Sequence, residues 1–227
     1  MKDLSSHPSL RVILTGATGM VGEGVLHSCL ADERVAEVAV LTRRPTGEKH
    51  PKLTEVVVSD FMDLSGVEGD LTGYDACYFC AGVTSIGKSE QEYTRLTYTL
   101  TLSVATTLSG LNPRMVFCYV SGAGTDGTEK GKLMWARVKG KTENGLRKLP
   151  FRDVYLFRPG FLVASPDARR TLRVYRSFRW LIPLIRLLAP RRISTLDEMG
   201  RAMISVTCQG YEKPVLEVPD IKTASAS

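Results

Sequence analysis

The sequence predicts an α/β fold, a doubly wound parallel sheet with helices on both faces. Three observations carry this. Short apolar runs recur along the chain, each followed by a stretch with helical spacing. The runs are nearly continuous in apolar residues rather than alternating, as strands buried on both faces require. The first run, "LRVILTG", ends in glycine and leads straight into a glycine triplet. The chain has 227 residues, 43% of them hydrophobic and 24% charged, which suits one domain with a sizeable core. Residues 1–227 are therefore taken as a single domain.

"LRVILTG" is the first strand. After it Val21, Val25, Leu26, Cys29 and Leu30 recur at helical spacing. "EVAVLTRR" is the second strand and ends in paired arginines; "EVVVSDF" is the third and "ACYFCAG" the fourth. A long helix follows, with Tyr93, Leu96, Leu100 and Val104 on one stripe. "RMVFCYVSGAG" is the fifth strand. "KGKLMWARVKGKTENGL", residues 130–146, reads as a helix, and "DVYLFRPG" as the sixth strand. From Ser165 to Thr195 the rhythm gives way to a basic, apolar segment containing Pro183 and Pro190. "LDEMGRAMISVTC" resumes as a helix, and "KTASAS" is expected to be a frayed tail.

The formal net charge of +6 is compatible with phosphate-bearing ligands, acidic membrane surfaces or nucleic acid and selects none of them. The five cysteines are scattered and odd in number, as expected of free thiols in a reducing compartment. Cys77 and Cys80, three apart on a strand, point to opposite faces, which disfavours a metal or redox pair. His7, His27 and His50 show no metal-ligand spacing. The N-terminal "MKDLSSHPSL" lacks the apolar core of a signal peptide, and no run reaches the roughly 18 apolar residues of a spanning helix. A cytoplasmic location is expected on these grounds.

The strongest motif is "TGATGMVG", with Gly16, Gly19 and Gly22 spaced by three. It follows a strand and opens a helix, the context in which such glycines permit a tight turn and a close approach of backbone to a pyrophosphate. Thr18, Met20 and Val21 complete the loop and the helix start, whose N–H groups and dipole favour an anion. At the end of the second strand an acid would select NAD by binding the ribose 2′-OH. Here Arg43 and Arg44 follow Thr42, and a guanidinium fork suits a 2′-phosphate. NADP is favoured over NAD.

"TGATGMVG", "SDF", "CAGVT", "VSGAG", a helix carrying Trp135 and Lys139, and "RPG" occur in this order. Together they resemble the atypical and extended short-chain dehydrogenase/reductases, including the epimerase-like members and the Tat-interacting-protein-like group. The resemblance runs from about Leu10 to Val218. It implies a Rossmann fold with a nucleotide lying across the strand C-termini and a small C-terminal cap, residues 165–195, on the substrate side. It further implies Asp60 and Phe61 beside the adenine, and Ala81, Gly82 and Val83 under the nicotinamide ribose. Pro159, Gly160 and Phe161 would flank the nicotinamide carboxamide.

In that family a strand-end serine and a Tyr-x-x-x-Lys pair form the reaction centre. Ser121 matches the serine and Lys139 the lysine, which the family uses to bind the ribose as well, while Trp135 stands in the tyrosine position. An indole N–H donates a hydrogen bond but has no acid/base role near neutrality. Three readings follow: NADP binding without turnover, another acid such as Tyr93, Tyr98 or a water, or Trp135 as core with Lys139 a surface lysine. The first hypothesis is an NADP-binding oxidoreductase-like enzyme acting on a small carbonyl or sugar-like compound. Its rival is a non-catalytic nucleotide-binding sensor or interaction protein. "LRVYRSFRWLIPLIRLLAPRR" is assigned to the cap first, and second to contact with a peripheral membrane surface or acidic protein. Nucleic acid ranks last, since no recognition module accompanies the charge.

Overall fold

The computed structural model describes residues 9–163 and 193–227. β1 (Leu10–Thr15), β2 (Val35–Thr42), β3 (Leu53–Val57), β4 (Ala76–Phe79), β5 (Val116–Val120), β6 (Asp153–Arg158) and β9 (Val215–Glu217) form one sheet. Their order is β3-β2-β1-β4-β5-β6-β9, and every pairing is parallel. The order reverses between β1 and β4, so the carboxyl ends of these strands open a crevice. A short second sheet pairs β7 (Phe161–Val163) with β8 (Ile193–Thr195), also in parallel. The expected cap at 165–195 lies outside the described residues except for its last three, which are β8.

Both faces of the large sheet are buried. On one, α1 (Met20–Ala31), α5 (Leu196–Gln209) and α6 (Val218–Ser225) cover Val12, Leu14, Tyr78 and Phe157. α1 and α5 meet closely because each offers a glycine. A Cβ on Gly24 would lie 2.4 Å from Leu196 Cβ, and one on Gly200 would lie 2.3 Å from Ser28 Cβ. On the other face Val104, Ala105 and Leu108 cover Ile13, Phe79 and Phe117. Cys77 belongs to this second core and Cys80 packs against the first, as their spacing requires.

Three expectations are corrected. The helix expected over 130–146 is α4 (Met134–Leu146). Residues before it are held in a turn by Asp126, which accepts from the backbone N–H of Gly131 at 2.6 Å and of Thr128 at 2.9 Å. The "KTASAS" tail is not frayed. Most of it belongs to α6, which has a capping box formed by Glu217 and Asp220, and Ile221 and Ala224 are buried. The helix after β4 is interrupted: α2 (Glu90–Thr94) passes through a π-helical turn (Arg95–Thr99) into α3 (Leu100–Leu111). Tyr93 and Val104 are buried, while Leu96 and Leu100 face a cleft.

Candidate functional site

Two cavities open at the carboxyl edge of the sheet. The first, about 400 Å³, is built on the glycine turn after β1. Gly16 has φ of 74°, and a Cβ there would sit 2.6 Å from Ala81 N and Cys80 C. A Cβ on Gly22 would lie 2.1 Å from Gly16 O. Both glycines are demanded by backbone packed on backbone. Gly19 differs: its nearest obstacle is Gly16 O at 3.4 Å, so the turn there can be approached by a ligand. Gly19 is also the N-cap of α1, with no side chain capping it. The helix start at Met20 and Val21 therefore presents its first N–H groups at the turn.

Gly16, Thr18, Gly19, Arg43, Asp60, Phe61, Ala81, Gly82 and Val83 all line this cleft. Ala81 is fixed to β1 by its N–H, which donates to Thr15 Oγ1 at 3.2 Å. Of the arginine pair only Arg43 lines the cleft. Arg44 is held through its backbone, its carbonyl accepting from Thr42 Oγ1 at 2.7 Å. Sequence reasoning missed Arg95, Leu96 and Leu100 as lining residues, because an ordinary helical stripe does not show a π turn. Cys80 also lines the cleft, but burial pushes its thiol up to about 12, away from reactive thiolate chemistry. Bare turn backbone, a helix start and a guanidinium around one cleft fit a dinucleotide phosphate.

The second cavity, about 640 Å³, lies between Gly122, Ala123, Gly124, Trp135 and Pro159, Gly160, Phe161 on one side and Glu217, Val218, Pro219 on the other. The Trp135 ring lies against Gly124, where φ is 84° and a Cβ would be 3.5 Å from the indole Cη2. The sequence reading did not anticipate Glu217, since β9 and α6 were not recognised there. Glu217 is the only titratable group among the described lining residues.

The polar groups of the expected reaction centre lie beneath this cavity. Ser121 is buried, with Oγ 2.6 Å from Glu143 Oε1 and 3.2 Å from Phe157 O. Lys139 lies one turn from Trp135 on α4, and its ammonium donates to the Ser121 carbonyl. Burial lowers the Lys139 pKa, and the charge of Glu143 opposes that shift. Glu143 is 2% exposed and forms an ion pair with Arg158, at 2.5 Å to Nη2 and 3.0 Å to Nε. Arg158 is also 3.5 Å from Glu217. Glu143 and Arg158 were not singled out from the sequence; a Lys-x-x-x-Glu step on a helix face is too common to signal a buried network. Tyr93 is buried with its pKa raised by desolvation, and the Tyr98 ring lies 4.7 Å from the Lys141 ammonium. Neither tyrosine lines the second cavity.

Comparisons with known proteins bear on the family and the fold. The model of the NAD dependent epimerase/dehydratase family matches residues 12–132, more than half of the chain. The mitochondrial protein fmp52 of Emericella nidulans is 28% identical over 174 residues, covering 74% of this chain and 73% of that protein. The mitochondrial protein FMP52 of Chaetomium globosum is 24% identical over 162 residues, covering 68% and 67%. These relatives overturn the cytoplasmic expectation: they are named as mitochondrial proteins, and nothing in the fold argued for the cytoplasm. Among solved structures, the dTDP-glucose 4,6-dehydratase DesIV of Streptomyces venezuelae, with NAD and TYD bound, superposes with a TM-score of 0.65 at 17% identity. The match covers 95% of this chain and 80% of that one. The UDP-N-acetylglucosamine 4-epimerase of Bacillus cereus gives 0.66 at 17%, covering 95% and 84%. At such identity these two show the shared Rossmann fold. With its glycine turn, strand order and matched residues together, the chain belongs to the NAD dependent epimerase/dehydratase family, as an atypical short-chain dehydrogenase/reductase.

Proposed function

We propose that this protein binds NADP(H) in the cleft over Gly16 and Gly19 and acts as an oxidoreductase on a small carbonyl or sugar-like compound held against Trp135. The observation that carries the reading is the adjacency of two cavities at one sheet edge, one lined by phosphate-compatible backbone and Arg43, the other by Trp135 and Pro159–Phe161. NADP(H), when bound, supplies or accepts a hydride. This chain's own residues orient the partner. The Trp135 indole N–H is suited to hold a carbonyl oxygen, and Glu217 offers a carboxylate on the opposite wall. NADP is preferred to NAD because β2 ends at Thr42 and is followed by Arg43 and Arg44, with no acid there to engage a 2′-OH.

Calorimetry with NADPH and NADH at one salt concentration tests the cofactor. NADPH should bind more tightly, and Arg43→Ala should narrow the difference by about 1–2 kcal/mol, the worth of a charge-assisted hydrogen bond. Equal affinities in the unmodified protein would refute the preference.

A second reading, nucleotide binding without turnover, is favoured by the orientation of Ser121. Its hydroxyl is turned to Glu143, and the wall above it is Gly122, Ala123 and Gly124, which carry no hydroxyl. Stoichiometric NADPH binding with no consumption across a broad carbonyl panel would establish this reading in place of the first.

A further inference from the structure

Nothing in the sequence pattern singles out Arg95; the π turn does. In an uninterrupted α-helix, residues 95 and 100 would be about 140° apart around the axis. Here the Leu100 N–H donates to the Arg95 carbonyl, a five-residue step that draws the two toward one side. As a result Arg95, Leu96 and Leu100 line the same nucleotide cleft as Arg43.

Arg95 is exposed, and among the described residues neither it nor Arg43 forms an ion pair. The acids nearest Arg95 in sequence are engaged elsewhere. Glu92 pairs with Lys88 at 2.9 Å, and Glu90 with Arg137 at 2.7 Å. The acid that does line the cleft, Asp60, accepts from the Met62 N–H at 2.9 Å. Two guanidiniums without carboxylate partners, on separate elements around one cleft, favour an anion between them.

We infer that Arg95 is a phosphate-binding residue of the cleft, its guanidinium pairing with a phosphate of the bound dinucleotide together with Arg43. This rests on the reading of the cleft as a dinucleotide site. The apolar side chains of Leu96 and Leu100 beside it would pack against the nucleoside, and the π turn allows one helix to supply both the packing and the charge.

The test is calorimetry on the full chain with NADPH and with NADH, comparing wild type, Arg95→Ala, Arg95→Met and Arg95→Lys. Because Arg95 is exposed, the variants should fold, and thermal melts check this. Arg95→Ala and Arg95→Met should each weaken NADPH binding about ten-fold, while Arg95→Lys recovers much of the loss. A loss confined to NADPH assigns the 2′-phosphate, and an equal loss for NADH assigns the pyrophosphate; either supports the inference. Wild-type affinity in Arg95→Met would overturn it, since that variant keeps the stem and removes only the charge. A wild-type protein that binds neither nucleotide would overturn the cleft assignment itself, a result distinct from tight binding unaffected by Arg95.

Discussion

The two cavities share one sheet edge and differ in where their polar groups point. Around the nucleotide cleft the turn backbone, the start of α1 and the side chains of Arg43 and Arg95 face outward. Around the second cavity the walls are glycine, alanine, valine, proline and aromatic surface, with Glu217 the one charged residue among those described. There Ser121, Lys139, Glu143 and Arg158 bind one another underneath. The first has the donors that the proposed dinucleotide phosphate needs. In the second, hydrogen bonds and ion pairs through Glu143 link three strand ends, at Ser121 after β5, Arg158 on β6 and Glu217 on β9. One cleft thus leaves its guanidiniums without carboxylate partners among the described residues, whereas beside the other the charged groups are engaged with one another.

The largest expected effect breaks the buried side of this contrast. Glu143→Ala removes the closer carboxylate from Arg158 and the closer acceptor from the buried Ser121 hydroxyl, leaving only Glu217 at 3.5 Å and the Phe157 carbonyl at 3.2 Å. Urea unfolding should show a loss of about 3–5 kcal/mol, as for other broken buried pairs. A loss below about 1 kcal/mol would mean that the network does not hold the strand ends, and the contrast would collapse.

Gly16→Ala attacks the other side. With φ of 74° and 2.6 Å to the Cys80 and Ala81 backbone just after β4, the added methyl forces the turn to move. About 1–3 kcal/mol of stability should be lost to backbone strain, together with most nucleotide affinity by calorimetry. Unchanged binding would show that the turn does not seat the nucleotide.

Trp135→Tyr adds a titratable hydroxyl to the second cavity, one helical turn from Lys139. A nearby ammonium favours the phenolate and so lowers a tyrosine pKa. The expected outcome is a slow NADPH-dependent carbonyl reduction, followed at the cofactor's own absorbance, that exceeds the wild-type rate. No gain would place the substrate oxygen out of reach of this helix.

The smallest effect is a pH dependence. Burial lowers the Lys139 pKa below its ordinary 10.5, so the unfolded chain binds its proton more firmly than the fold does. Stability should rise as pH climbs from the lowered value towards 10.5, because the charge that burial disfavours is given up. Urea midpoints across that window should be flatter in Lys139→Met; identical slopes would mean the ammonium is not desolvated as described.

Local chemistry made much of this protein legible in its sequence. The parallel strands β1, β2, β4 and β5 announced themselves as apolar runs, because burial on both faces leaves little polar alternation, whereas the edge strand β3 is mostly exposed or half-buried. Gly16 and Gly22 were readable because a turn against backbone excludes a side chain, Gly19 because a ligand must approach the helix start there, and Arg43 because the residues after β2 meet the ribose in such folds. The tertiary structure alone decided the rest. The π turn that aims Arg95 into the cleft leaves no mark in residue spacing. The inward turn of Ser121 depends on Glu143 being buried 22 positions along the chain and neutralised by Arg158. The helical state of the last residues depends on Ile221 and Ala224 finding apolar cover against the sheet. Sequence patterns report what a residue needs from its immediate neighbours; which distant side chain meets that need is settled only when the chain has packed.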